Sequence, residues 1–150
     1  MTQNPGKKAA KKDKPTALSE LVRRGELFNK NCPSRDILKH LTSRWGVLVL
    51  IALLERDHRF SDLRRTVGGV SEKMLAQTLQ TLEADGFVNR YSHPVVPPHV
   101  DYNLTPIGRE VAEKVRDFAD WIEVNTSRIM ASKSERATSR MDETNRVLST

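Results

Sequence analysis

Residues 59–105, RFSDLRRTVGGVSEKMLAQTLQTLEADGFVNRYSHPVVPPHVDYNLT, decide how this chain folds. Phe60, Leu63 and Val67 recur at helical spacing and predict a short amphipathic helix. Gly68-Gly69-Val70 follows as a tight turn. Ser71 is a good N-cap for a second helix, because its hydroxyl can accept from first-turn amides, and Gly86 closes that helix about four turns later. At about 100° per residue, Leu75, Leu79, Leu82 and Gly86 fall within about 60° of one another, while Lys73, Gln77 and Gln80 lie opposite. One face packs and the other is polar. Residues 87–92 and 100–104 then alternate as two strands, joined by the proline-rich stretch His93-Pro94-Val95-Val96-Pro97-Pro98, which predicts a β-hairpin with a stiff tip.

Upstream, Pro33 after Cys32 opens a helix with Ile37, Leu38 and Leu41 as its expected buried stripe. The next helix begins near Ser43, and its body from Trp45 to Leu54 is apolar on nearly every side, as suits a central helix. Downstream, Thr105-Pro106 supplies an N-cap and a first-turn proline for a long helix carrying Val111, Val115, Phe118, Ile122 and Ile129 at helical spacing. Leu18, Leu21, Val22 and Phe28 suggest a short amphipathic arm interrupted near Gly25. The expected organisation is a disordered basic tail over residues 1–15, one domain over 16–131 and a flexible polar tail over 132–150. The fold class is mainly α with a small β-hairpin (α+β): a winged helix-turn-helix with extra helices at both ends.

A chain of 150 residues with 37% hydrophobic residues supports one modest core. Its longest apolar run, residues 47–54, is far short of the roughly 20 residues of a membrane span. The N-terminal lysines are not followed by an apolar stretch, so a cytoplasmic location with no membrane partner is expected. The single cysteine, Cys32, excludes an internal disulfide framework and a multi-cysteine zinc site. Net charge is +6, but the five lysines and one aspartate of residues 1–16 supply +4 of it. A nucleic-acid partner must therefore be argued from where charges sit.

An α-helix fits the major groove of DNA, where Lys can bond guanine O6/N7 and Gln can pair with adenine N6/N7. Lys73, Gln77 and Gln80 are therefore the candidate base-reading residues. Arg59, Arg64, Arg65 and the amide-rich helix start at Ser71 are candidates for the DNA backbone. Arg90, His93 and His99 on the hairpin are candidates for the backbone or minor groove, with plain solvated side chains as the alternative. On an isolated helix the same polar face would be read as a solvated surface. The glycine turn before it, the hairpin after it and the flanking arginines favour DNA instead. No glycine-rich phosphate loop, Gly-x-Ser-x-Gly elbow or His-Glu-x-x-His is present, so no enzyme, catalytic residue or cofactor is expected. Cys32 and His40 lack an evident oxyanion hole. His93 and His99 flank the hairpin tip with no third ligand evident, so no metal centre is expected either. The competing class is a winged helix used as a protein-interaction module without DNA reading.

The chain resembles the HxlR-type bacterial regulators, a winged-helix family. The resemblance is carried by Cys32-Pro33, Leu41-x3-Trp45, residues 59–65 (RFSDLRR), 70–75 (VSEKML), 82–88 (LEADGFV) and 97–108 (PPHVDYNLTPIG), and covers about residues 30 to 125. It implies a homodimer on a pseudo-palindromic double-stranded operator, with helices outside the winged core forming the interface. The family often has paired glycines before the tryptophan, where this chain has Thr42-Ser43-Arg44, which leaves the local helix start open.

A dimer is also expected on physical grounds, because Val111, Val115, Phe118, Trp121, Ile122 and Ile129 offer more apolar surface than a small domain needs for itself. Cys32 stands at a helix start, where the dipole and Arg35 favour a thiolate. The resemblance implies that such a cysteine can sense electrophiles or oxidants; the other reading is a small buried hydrophobe. The function expected from the residues is thus a homodimeric, sequence-specific DNA-binding regulator, taken as a repressor, with a small molecule or electrophile as effector.

Overall fold

Helix α1 (Pro33–Thr42) starts at its proline, and helix α2 (Arg44–Glu55) follows after the single residue Ser43. The Ser43 hydroxyl accepts from Gly46 N at 3.1 Å and donates to the His40 carbonyl at 3.0 Å, so a serine cap settles the helix start that the sequence left open. The apolar run becomes the centre of the core: Val49, Leu50 and Leu53 are completely or almost completely buried. Around α2 pack α3 (Phe60–Val67), α4 (Glu72–Ala84), one strand of the sheet and the last helix, α5 (Pro106–Leu148).

The structure, a computed structural model, describes residues 17, 19, 20 and 29–149. The basic tail of residues 1–15 and the apolar positions of the arm, Leu18, Leu21, Val22 and Phe28, lie outside the described residues. The chain divides into two compact units, Met1–Ile37 and Leu38–Thr150. In the first, Asn31 N donates to Asn29 Oδ1 and Cys32 N to the Asn29 carbonyl, both at 3.0 Å, a turn that delivers part-buried Cys32 to the start of α1.

In the second unit, α3 and α4 are joined through Gly68 and Gly69, whose φ values of 63° and 76° fall where a side chain would be strained. Helix α4 ends with Phe87 N donating to the Leu82 carbonyl at 2.9 Å, which reverses the chain into the hairpin of β2 (Val88–His93) and β3 (His99–Leu104). The sheet has a third strand that periodicity did not announce: β1 (His58–Arg59) pairs antiparallel with β3, giving the order β1-β3-β2. Two residues are too few for an alternation to show.

Helix α5 begins under a Thr105 cap, whose hydroxyl accepts from Gly108 N at 3.0 Å and donates to the Gly86 carbonyl at 2.6 Å. Gly108 crosses the start of the wing so closely that a Cβ there would lie 1.9 Å from the Phe87 carbonyl oxygen. Two readings differ from this fold. Of the stripe expected to be buried on α1, Leu41 packs on the core but Ile37 and Leu38 are exposed, because helical spacing fixes which residues share a face and not whether anything covers it. Helix α5 does not stop near Ser132 but runs to Leu148, since no Gly or Pro follows Gly108 to break it. No single helix among the described residues is long and apolar enough to cross a membrane.

Candidate nucleic-acid interface

The phase argument for α4 fixes its orientation. Leu75, Leu79 and Leu82 are at most 1% exposed, and Lys73, Gln77 and Gln80 are exposed on the opposite side. Among the described residues, none of those three side chains makes a hydrogen bond or ion pair, so their polar ends are available to a ligand. Ser71 Oγ accepts from Met74 N at 3.1 Å, satisfying one first-turn amide and keeping its own O–H to donate. A wide cleft at this helix start is lined by Arg64, Arg65, Gly68, Gly69 and Ser71. Amides, a hydroxyl and two guanidinium groups converge there, a donor set suited to phosphate oxygens.

The arginines are partly engaged with their own domain. Arg65 pairs with Asp62, and Arg64 reaches the Val70 carbonyl at 3.5 Å and the Glu72 carboxylate at 4.0 Å. Arg59 lies 3.9 Å from Asp101. All three remain about half exposed or more, so such surface pairings hold them only weakly. Arg90 is exposed on β2 without an ion pair among the described residues. On the other flank of α4, Met74, Gln77 and Thr78 border a cleft with Lys39 and His40, positions that helical phase within α4 alone gave no reason to select.

His93 and His99 are brought together by the hairpin. They are directly opposed in the register, and their rings stack with centroids 4.5 Å apart. Asp101, two residues along β3 and so on the same face, places Oδ2 2.8 Å from His93 Nε2 and 3.9 Å from His99 Nε2. The sequence reading found no third partner for the two histidines; register supplies one, and the period-two spacing of His99 and Asp101 was the available signal.

Two of the six residues expected at a dimer interface, Val111 and Val115, pack against the domain's own core. Phe118, Trp121, Ile122 and Ile129 are between 37% and 57% exposed, which leaves an apolar strip along α5 with Val124 and Met130 beside it. Cys32 is part-buried and immediately precedes α1, with Arg35 N donating to its carbonyl at 3.1 Å.

Comparison with known proteins agrees with this geometry. Residues 40–130 match the HxlR-like helix-turn-helix family. The chain is 63% identical over 121 residues to an uncharacterized HTH-type transcriptional regulator, YtfH, of Escherichia coli K12, an alignment spanning 81% of this chain and 96% of that one. It is similar to the solved structure of the transcriptional regulator YtfH from Salmonella typhimurium, with 64% identity, 72% of this chain and 96% of that chain covered, and a TM-score of 0.70. The redox regulator HypR in its reduced form is a more distant neighbour, with 30% identity, 67% and 99% coverage and a TM-score of 0.61. A matched span of this length, over a fold with the helix-turn-helix and wing in place, assigns the chain to the HxlR-like helix-turn-helix family of DNA-binding transcriptional regulators, which are not enzymes.

Proposed function

We propose that this protein is a homodimeric repressor that reads a pseudo-palindromic operator with α4. The observation that carries the reading is the exposed, unengaged polar face of Lys73, Gln77 and Gln80 on the second helix of the helix-turn-helix. These side chains contact base edges in the major groove, while Arg59, Arg64, Arg65 and the Ser71 helix start hold phosphates. Arg90, and His93 and His99 on the hairpin, touch the backbone beside the wing. The exposed strip of Phe118, Trp121, Ile122 and Ile129 pairs with its symmetry mate, which sets two reading helices about 34 Å apart, one turn of DNA.

Likeness to a redox regulator supports a sensing role for Cys32. With one thiol per chain, an oxidant such as diamide joins Cys32 to the partner's Cys32 or to a small thiol, and a quinone alkylates it. Either adduct at the start of α1 releases the operator.

Fluorescence anisotropy on the DNA upstream of the gene, with random DNA as competitor, tests the reading. Competitor-resistant binding that Gln77→Ala weakens about tenfold supports it. Sites from a genome-wide selection that bind no tighter than random DNA would make the chain an interaction module instead. Cys32→Ser is expected to bind DNA like the wild type and to resist release by diamide; release unchanged in that variant would remove the sensing role and leave DNA reading intact.

A further inference from the structure

We propose that His93, His99 and Asp101 form a binding site for a divalent transition cation of the Zn²⁺ class at the mouth of the wing. One donor atom from each residue lies within 4.8 Å of the other two. Two imidazoles and a carboxylate are the donor types that suit such an ion, and three protein ligands leave a fourth position for water. In a tetrahedral site with metal–ligand distances of about 2.1 Å, donor atoms sit roughly 3.4 Å apart. The separations from Asp101 Oδ2, 2.8 Å to His93 and 3.9 Å to His99, bracket that value.

Three further features favour a ligand over a simple side-chain pairing. His93 Nε2 is buried and lies 2.8 Å from Asp101 Oδ2 without the alignment of a hydrogen bond. The two oxygens of Asp101 face different partners: Oδ2 faces both histidines, and Oδ1 faces Arg59 Nε at 3.9 Å. Arg59 thereby steadies the carboxylate from outside, as outer partners of metal-bound carboxylates do. The donors are also preset by the backbone, since His93 and His99 are a register pair and Asp101 follows at the next same-face position.

An ion bound here staples β2 to β3 at the last pair before the proline-rich tip and so fixes the direction of the wing. It also engages two histidines proposed to lie near the DNA backbone. The binding itself does not rest on the DNA-reading assignment, because the site is complete within one hairpin.

The test uses the full chain without an affinity tag, stripped with a chelator, and titrated with Zn²⁺ against a chromophoric competitor at neutral pH. One Zn²⁺ per chain is expected, with Co²⁺ giving the intense visible absorption of a four-coordinate site. His93→Ala and His99→Ala should each weaken Zn²⁺ binding at least about tenfold, and Arg59→Ala should weaken it less than either, through the carboxylate it faces. Cys32→Ser should bind as the wild type does. None of the three side chains belongs to the hydrophobic core, so circular dichroism should be unchanged, and Zn²⁺ should raise the unfolding temperature of the wild type and not of His99→Ala. Absence of saturable binding overturns the proposal. So does binding that survives the loss of both histidines or disappears with Cys32. Operator binding that responds to Zn²⁺ in the wild type and not in His99→Ala would extend the site to regulation, whereas loss of operator binding without loss of Zn²⁺ would bear only on the DNA reading.

Discussion

Nδ1 of His40, near the end of α1, lies 2.6 Å from Oδ2 of Asp85, the residue that caps the C-terminus of α4. The pair links α4 to the element before the core helix, 45 residues away in sequence. Removing either partner leaves a part-buried polar group unsatisfied, so His40→Ala and Asp85→Ala should each lower stability by about 1–3 kcal/mol. Urea unfolding of the single and double variants checks this. Costs that simply add would mean that the contact carries no energy of its own.

Gly108→Ala should destabilise the domain by about 2 kcal/mol or more, although alanine is the better helix former. The added Cβ meets a backbone carbonyl, that of Phe87, and cannot be relieved by a side-chain rotation. Thermal unfolding should show a lower midpoint; a raised one would mean that α5 does not cross the wing as described.

Stability should fall on mild acidification because of His58. This residue is 3% exposed, pairs with Tyr102 on the core side of the sheet, and has both ring nitrogens buried without a well-formed hydrogen bond. Burial, reinforced by the Arg56 charge, holds its pKa below the usual histidine value; the Ala52 carbonyl and the carboxylates of Asp62 and Glu55 offset this only in part. The unfolded chain therefore takes up the proton first. The stability of neutral His58 is complete above about pH 6.5, the unfolded pKa, and declines as pH falls toward the lower folded value. Urea midpoints between pH 8 and pH 5 should drop less steeply in His58→Leu than in the wild type.

Base and phosphate contacts should separate by salt. Arg90→Ala is expected to weaken binding to all sequences alike and to reduce the slope of log affinity against log salt by about 0.9. Lys73→Ala, at the start of α4, should also relax discrimination at one base pair by about 1–3 kcal/mol. Anisotropy at several salt concentrations on operator and mismatched DNA distinguishes the two.

The exposed strip of α5 predicts the oligomeric state. Phe118→Glu with Trp121→Glu buries two charges at the proposed interface and should convert a dimer to monomers in sedimentation velocity, with the far-ultraviolet spectrum unchanged. A monomeric wild type would show instead that the strip serves another partner.

Much of the winged core could be read before any coordinates because each of its signals is local: a cap at Ser71, a glycine pair, leucines at 75, 79 and 82, and a proline after Thr105. What escaped was set by distant chain segments. His58 and Arg59 form a strand only because β3 offers an edge to pair with. Asp101 joins His93 and His99 only once the register is known. Val111 and Val115 turned out to serve the domain core while Phe118 and Trp121 did not, a division that depends on where α5 leaves the core and not on its apolar spacing. The end of α5 was missed for a different reason: a solvent-exposed helix of good formers has the same composition as a coil.

Lys73, Gln77 and Gln80 carry a consequence for how such proteins diverge. Because these exposed side chains make no hydrogen bond or ion pair among the described residues, the fold places little constraint on their identity. On the proposed reading, duplicated copies of the gene can therefore drift to new operators by exchanging these three letters while the leucines beneath stay fixed. Recognition by the three proposed residues would then be an interchangeable label, and a genome could hold many such proteins with little cross-talk between them.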